Sequence, residues 1–400
     1  MNEKKKFDIE EINISVYKSG IKKDKTDLLL VTLPDNSSIA GIFTKSLTSS
    51  SAVNHCKNNL ISDNNKVKAV LVNSGNANAF TGSKGEKTVQ KIISFLSKHL
   101  SCDTNEIYTA STGVIGEFLN SDLIINSIKN NTFFSQNSWV DAAKAIMTTD
   151  TFHKIETSSC KIENEVINLV GIAKGSGMIA PNMATMLAFI FTDANISSEV
   201  LQKILLTQNE KTFNSITVDS DTSTSDTVLL ISTNKKNKNM ITSYNDPKLK
   251  TFKICTSELM LNLAQKIVKD GEGATKFIKI NVLNATSKKA AKNISMSVAN
   301  SPLVKTAIAG EDANWGRIIM AIGKSLEKII LNKISIYFGN YLVTKNGMKY
   351  INYSEEKISE YLKNNEIEIT IDLSMGNKKW TVYTCDLTEQ YIKINADYRS

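Results

Sequence analysis

Residues 174–194 read KGSGMIAPNMATMLAFIFTDA, a flexible turn followed at once by an apolar run. Its two glycines reach positive φ without a steric penalty, so the backbone can turn sharply. Pro181, one of only four prolines, pushes the residue before it away from helical geometry. The run 186–191 has the length of a buried strand. The plain interpretation is a glycine turn that feeds a core strand, and the sharper one adds chemistry by the Thr185 hydroxyl at the junction.

Composition limits the class of protein. The 400-residue chain is long enough for two or three domains, and its 41% hydrophobic and 22% charged residues are typical of a soluble globular protein. The net charge of +8 comes from scattered basic residues, which favour a solvated surface over a nucleic-acid patch. No apolar stretch approaches the roughly eighteen residues of a membrane span, and the charged start lacks the apolar segment of a secretory signal. We expect no nucleic-acid partner and no membrane association.

Cysteines and histidines are few and isolated. They lie at positions 56, 102, 160, 255 and 385 for cysteine and at 55, 99 and 153 for histidine. The cysteines are odd in number and form no CxxC pair, which favours free thiols in a reducing cytoplasm. No HExxH motif occurs, so the sequence predicts neither a metal site nor a histidine-based triad.

The hydrophobic pattern alternates between strand and helix. Short apolar runs bounded by turn residues predict strands at 28–33, 39–43 and 68–72. Apolar residues at helical spacing predict helix faces within 89–100 and 259–267, the second helix ending at Asp270-Gly271. The polar stretch 281–300 marks a candidate domain boundary, and the last hundred residues again mix strand and helix signals. The chain is therefore predicted to be α/β.

Two tempting motifs fail on inspection. Residues 82–88 resemble a phosphate loop, but the GxxxxGK spacing and a directly preceding apolar strand are missing. Asp219, Asp221 and Asp226 crowd one segment without the glycine and terminal glutamate of a calcium loop. A hydrogen-bonded turn is the better interpretation of this acidic run.

What remains is a series of polar, glycine-bearing stretches far apart in the chain. They are VNSGNANAFTG (72–82), ASTGVIGE (110–117), MTTDT (147–151), PNMATML (181–187), ITVDSDTSTSDT (216–227), DGEGATKF (270–277), SPLVKTAIAGEDANWGR (301–317) and INADYRS (394–400). Together they resemble the ornithine acetyltransferase (ArgJ) family, the glutamate N-acetyltransferases of arginine biosynthesis. The resemblance extends from about residue 20 to the last residue, and PNMATML and DGEGATKF are its most specific segments.

The resemblance implies that the Ala184–Thr185 bond cleaves itself, giving an alpha chain of residues 1–184 and a beta chain of residues 185–400. Chemistry supports this, because a turn can hold the β-branched Thr185 hydroxyl against the carbonyl of the small Ala184. Cleavage frees the α-amine of Thr185, whose reference pKa is about 8, to act as base for its own hydroxyl. A histidine is then unnecessary.

The family's reaction is an acetyl relay. The resemblance implies that Thr185 takes the acetyl group from N2-acetyl-L-ornithine and passes it to L-glutamate by ping-pong kinetics. By the same resemblance, Thr112 and Gly113 form the oxyanion hole. We expect no cofactor, and the motifs leave open whether acetyl-CoA also serves as an acetyl donor.

Six positions match the family's substrate-binding residues. They are Thr148, Lys174, Thr185, Glu272, Asn395 and Ser400. Thr148 is chosen from a group in which Thr149 and Thr151 stay open. Ser400 stands where the family usually has threonine, and Phe80 and Ala309 also depart from the family's motifs.

For the fold, the resemblance implies an αββα sandwich of the self-cleaving ArgJ/DmpA-like type with a smaller C-terminal α/β domain. The expected domains are residues 1–285 and 286–400, in a cytoplasmic α2β2 assembly of the two chains. An N-terminal-nucleophile amidohydrolase or aminopeptidase of the same fold is the alternative function. A non-catalytic binding module, which would not cleave itself, is the third.

Overall fold

The computed structural model describes residues 9–61, 65–130, 138–180 and 186–396. The chain divides into two compact units. The first comprises Met1–Gly175, Asn182–Asn214 and Asp221–Ile267, and the second comprises Ser176–Pro181, Ser215–Ser220 and Val268–Ser400. The predicted boundary between residues 285 and 286 stays a prediction.

The described residues form strands and helices throughout. The strands are β1 Asn13–Tyr17, β2 Leu28–Thr32, β3 Ser38–Phe43, β4 Ala69–Asn76, β5 Ile107–Val114, β6 Lys154–Ile162, β7 Glu165–Lys174, β8 Leu187–Thr192, β9 Thr227–Ser232, β10 Phe277–Ala285, β11 Ser335–Phe338, β12 Tyr341–Lys345, β13 Met348–Lys349, β14 Glu366–Asp372 and β15 Lys378–Cys385. The helices are α1 Ser51–Ile61, α2 Gly82–Leu100, α3 Ser121–Asn130, α4 Trp139–Ala145, α5 Ser198–Asn209, α6 Leu249–Lys269, α7 Lys288–Ala299, α8 Pro302–Ala309, α9 Trp315–Gly323, α10 Glu355–Leu362 and α11 Glu389–Asn395.

The first unit contains two sheets. The first sheet has the order β1-β2-β4-β5, antiparallel except for the parallel pair β4/β5. The second has the order β3-β9-β8-β7-β6, antiparallel except for the parallel pair β8/β9. The apolar run after the glycine turn forms β8, near the centre of the second sheet, as the sequence predicts for a core strand.

Alternation along β2 shows how the layers stack. Leu29 and Val31 lie in one apolar core with Phe189 of β8, so the two sheets face each other there. Leu28 lies in a separate core with Leu96 of α2, so the other face of the first sheet is covered by helix. Successive residues point to opposite faces of a strand, and both faces of β2 are therefore buried. Each such side chain contributes about 1.5–3 kcal/mol to folding.

Helices also cover the outer face of the second sheet. A Cβ at Gly171 of β7 would lie 2.6 Å from Leu259 of α6, so the missing side chain lets the helix approach closely. Gln202 of α5 exchanges two hydrogen bonds of 3.0 Å with the backbone of Gly41 in β3. The layers are thus helix, sheet, sheet and helix, and the predicted αββα sandwich is confirmed.

The second unit is a smaller α/β unit built on a sheet of order β13-β12-β11-β14-β10-β15. Its core packs Ile280 of β10 and Ile369 of β14 against Ile294 and Val298 of α7. The Ser287 side chain caps α7 by accepting a 3.0 Å hydrogen bond from the backbone N–H of Ala290. The polar stretch 281–300 is therefore the end of β10 followed by α7.

Among the described residues, no helix combines the length and the apolar composition needed to cross a membrane.

Candidate active site

The end of β5 carries the two predicted oxyanion donors, Thr112 and Gly113. Gly113 has φ = 132°, and a Cβ there would lie 2.3 Å from the carbonyl carbon of Gly75 in β4. No L-residue with a side chain fits such a position without displacing backbone, so glycine is required. Because glycine has no side chain, Gly113 does not shield its own N–H. Thr112 is buried, with 4% of its surface exposed.

Lys174, the last residue of β7, reaches Thr112 from the second sheet. Its Nζ donates a hydrogen bond of 3.3 Å to the Thr112 Oγ1, and only 3% of Lys174 is exposed. An ammonium group can donate but not accept, so the hydroxyl keeps its own hydrogen for another acceptor. The lysine charge also polarises that hydroxyl. The pair is suited to stabilise a negative oxygen.

Asp150 organises the surroundings of this pair. Its Oδ1 accepts 2.7 Å and 2.6 Å hydrogen bonds from the Gly175 N–H and the Lys154 Nζ. Its Oδ2 accepts a 2.9 Å hydrogen bond from the Thr148 N–H. Burial raises the pKa of Asp150, but the charges of Lys174 and Lys154 and these hydrogen bonds outweigh it and lower the pKa to about 2. Asp150 is therefore ionised at neutral pH and fixes two predicted site segments.

Asp226 is a second buried carboxyl group in the first unit. Its Oδ1 accepts a 3.0 Å hydrogen bond from the N–H of Met186, the residue that follows Thr185 in the sequence. Burial raises the pKa of Asp226 well above its ordinary value, against the opposing effects of that hydrogen bond and of Lys174. The Asp226 carboxyl group thus holds the amide next to the predicted nucleophile.

The second unit brings together two predicted residues that are far apart in sequence. The Asn395 Nδ2 donates a 2.8 Å hydrogen bond to the Oε2 of Glu272. The Glu272 N–H in turn donates to the carbonyl of Ser176 at 2.9 Å. A Cβ at Gly177 would lie 2.4 Å from that Oε2, so the glycine leaves room for the carboxylate.

Some predictions fall outside the described residues, namely those on Ala184, Thr185 and Ser400. At Thr148 the structure assigns a contact to the backbone N–H, so the choice of its hydroxyl over its neighbours stays a prediction. Phe80 is 82% exposed with φ = 56°, and Ala309 is the last residue of α8.

Sequence reasoning missed three charged residues that interact electrostatically with Lys174. Asp150 and Asp226 lie inside motifs quoted above, but the first was passed over for its threonine neighbour and the second was read as part of a turn. Lys22 lies outside every quoted motif. Carboxylates within Ser/Thr-rich motifs were the available signal, whereas nothing in the sequence around Lys22 marks it.

A separate groove of about 580 Å³ lies between α1, β3 and α5. Its lining includes Ile39, Phe43, Leu60, Gln202 and Leu206 and is mostly apolar. None of the predicted site residues lines it, so it is distinct from the cluster around Thr112.

The fold is an αββα sandwich, and the end of β5 carries the predicted oxyanion donors, which acyl transfer needs. The chain belongs to the ArgJ family, whose family model matches residues 13–400. The resemblance named from the motifs is thereby confirmed. The chain is accordingly an enzyme, an acyltransferase of arginine biosynthesis.

Individual relatives agree along nearly the whole chain. The arginine biosynthesis bifunctional protein ArgJ of Bartonella henselae is 48% identical over 391 residues, covering 97% of this chain and 95% of that protein. The protein of the same name from Mesorhizobium japonicum is 46% identical over 400 residues, covering 98% and 96%. The crystal structure of the arginine biosynthesis bifunctional protein from Bacillus halodurans matches with a TM-score of 0.50 at 38% identity, covering 52% of this chain and 96% of that chain.

Proposed function

We propose that this chain is a glutamate N-acetyltransferase that moves acetyl from N2-acetyl-L-ornithine to L-glutamate through an acetyl-Thr185 intermediate. The observation that carries the proposal is the buried Lys174–Thr112 hydrogen bond beside Gly113. It provides a polarised hydroxyl for an oxyanion, next to the Gly113 N–H, within a chain that retains the PNMATML segment of its family. Self-cleavage between Ala184 and Thr185 comes first, by attack of the Thr185 hydroxyl on the preceding carbonyl and hydrolysis of the resulting ester.

The acetyl transfer needs no cofactor, because each bond that forms is matched by a bond that breaks. The Thr185 Oγ bonds to the acetyl carbon while its proton passes to the Thr185 α-amine, and the carbonyl electrons move to the oxygen. The hydroxyl of Thr112 and the N–H of Gly113 donate to that oxygen, and one such donor contributes about 3–4 kcal/mol. Collapse breaks the bond to nitrogen, which takes the proton and leaves as ornithine. The amine of glutamate then repeats the attack and releases Thr185.

Substrate recognition uses the predicted binding residues. Lys174, Thr148 and Ser400 contact the bound amino acid. The Glu272 carboxylate accepts hydrogen bonds from the side-chain ammonium of ornithine, and Asn395 holds that carboxylate in place. The 2.8 Å hydrogen bond between these two side chains supports their joint role.

Assembly and a second acetyl donor belong to the same proposal. The relatives named above are called bifunctional, which fits acetyl-CoA as a further donor for N-acetylglutamate synthesis. An assay with acetyl-CoA and glutamate, but no acetylornithine, measures this activity directly. We further propose that the alpha and beta chains form an α2β2 assembly in the cytoplasm.

The first prediction tests the nucleophile. Purified protein should run on a denaturing gel as chains of 184 and 216 residues, with Thr185 found by N-terminal sequencing of the larger. Thr185→Ala should give a single inactive chain, because neither the cleavage nor the transfer retains its hydroxyl. Thr185→Ser is the matched control and should cleave, since it keeps that hydroxyl.

Acetylornithine consumption measured with and without glutamate separates transfer from hydrolysis. A transferase should release free ornithine beyond one equivalent per site only when glutamate is present. Equal turnover without glutamate would favour the amidohydrolase alternative. Cleavage of Thr185→Ala at the same bond would refute the proposed nucleophile.

A further inference from the structure

Lys22, in the segment between β1 and β2, lies beside the predicted oxyanion donors. A Cβ at Gly75 would lie 2.8 Å from the Lys22 Cγ, so the lysine stem packs directly on that glycine. Gly75 is paired with Gly113 across the β4/β5 ladder. At its other end, the Lys22 Nζ donates a 3.0 Å hydrogen bond to the carbonyl of Met147. The side chain therefore extends from the oxyanion donors to the residue that precedes Thr148.

The backbone that carries Lys22 is held in place by Asp27. One carboxylate oxygen of Asp27 accepts from the Ser19 N–H at 2.6 Å, and the other accepts from the Lys22 N–H at 2.9 Å. Asp27 is fully buried, so these bonds are shielded from water. The Asp27 carboxylate thus fixes the backbone that presents the lysine.

The ammonium group of Lys22 has more N–H donors than its described hydrogen bonds use. Of its three N–H donors, one is used by Met147, and none of the ion pairs between described side chains includes Lys22. The residue is half-buried, and burial lowers its pKa to about 8. A partly dehydrated cation in this condition is stabilised by an anion that brings its own hydrogen-bond acceptors.

We propose that Lys22 binds the α-carboxylate of both amino-acid substrates. The inference rests on the proposed function and deepens it by assigning a recognition residue. In acetylornithine and in acetylglutamate the reacting nitrogen and the carboxylate are attached to the same carbon. A cation that binds this carboxylate must therefore lie close to the oxyanion donors, where Lys22 lies. One lysine can serve both half-reactions, because this part of the two substrates is identical.

Kinetics of Lys22→Gln test the assignment. KM for acetylornithine and for glutamate should each rise about tenfold to a hundredfold, the effect of losing a hydrogen bond between charged groups. Self-cleavage should proceed at the wild-type rate, since it involves no external carboxylate. Lys22→Arg should restore part of the affinity. Lys23→Gln, at the exposed neighbouring position, is the matched control and should leave both KM values unchanged.

A substrate analogue that lacks the α-carboxylate charge distinguishes a binding role of Lys22 from a structural role. Wild-type protein should bind the α-amide of glutamate about tenfold to a hundredfold more weakly than glutamate in calorimetric titrations, whereas Lys22→Gln should bind the two about equally. If Lys22→Gln keeps the wild-type preference for the carboxylate, the assignment is wrong. Calorimetry needs no turnover, so failure of acetyl transfer with this binding pattern intact would refute the proposed function alone.

Discussion

At the scale of single residues, Asp150 is the group on which the cluster around Thr112 most depends. Its side chain and that of Lys154 are both 0% exposed and 2.6 Å apart. Asp150→Asn would remove the negative charge that Asp150 places beside the buried Lys154 ammonium, and removing one partner of a buried pair costs about 3–5 kcal/mol. We expect the free energy of unfolding at pH 7, measured by urea denaturation, to fall by about that amount.

The pH dependence of this effect has a defined sign. The pKa of Asp150 is about 2 in the folded protein against an ordinary value of 3.8. A lowered pKa contributes stability above the unfolded value, and that stability is lost as pH falls through the folded value. The difference between wild type and Asp150→Asn should therefore narrow from pH 4 to pH 2. Asp122→Asn is the control, because its pair with Lys91 is exposed and contributes about 1 kcal/mol or less. Equal behaviour of the two variants would contradict the stabilising role of the buried pair.

Residue-level roles were only partly predictable. Motif resemblance predicts Thr112 and Gly113 as the oxyanion donors, and the positive φ of Gly113 is a physical reason for a glycine at that position. In the sequence, Asp150 is only one polar residue of the motif MTTDT. Its burial and its contact with Gly175 arise from tertiary packing and could not be predicted. Lys22 could not be singled out, since the groups that its side chain contacts, Gly75 and Met147, are distant in sequence.

At the scale of secondary-structure elements, continuous apolar runs predicted strands well, whereas a stretch of mixed polarity did not reveal its helix. The runs at 28–33 and 39–43 became β2 and β3 because both of their faces are buried, which makes the whole run apolar. The polar stretch 281–300 concealed α7. Its buried positions Ile294 and Val298 keep helical spacing, but lysines and serines on the other faces dominate the composition.

Gly113→Ala tests how the end of β5 positions the predicted oxyanion donors. The added Cβ would lie 2.3 Å from backbone atoms of Gly75, so β4 and β5 must separate locally and move the amide. We expect turnover to fall at least about a hundredfold, as for loss of one oxyanion donor. The melting temperature should also fall. Steady-state kinetics and thermal unfolding measure the two effects.

Gly116→Ala is the matched control. Its φ of 86° is also positive, but a Cβ there meets nothing within 4 Å. Gly116→Ala therefore measures the free-energy cost of a positive φ without a steric clash. It should keep wild-type turnover. Equal loss of turnover in both variants would show that contact with Gly75 does not position the donors.

At the scale of the whole molecule, the predicted cut between residues 184 and 185 separates chains that share one sheet. In the order β3-β9-β8-β7-β6, strands β3, β7 and β6 precede the cut, and β9 and β8 follow it. The β3/β9 and β7/β8 ladders therefore join the two chains by backbone hydrogen bonds. This interleaving could not be derived from the hydrophobic pattern, which gives the strands but not their order in a sheet.

We expect the cleaved chains to stay together in native buffer and to part only in denaturant. Ile172 of the alpha chain and Phe189 and Ile231 of the beta chain lie in the same buried core, so separation would expose side chains worth about 1.5–3 kcal/mol each. Cleaved wild type and uncut Thr185→Ala should elute at the same volume from a sizing column. Each should also unfold in a single urea transition, with both chains of the wild type losing structure together. Elution of a free 184-residue chain from native protein would contradict a shared sheet.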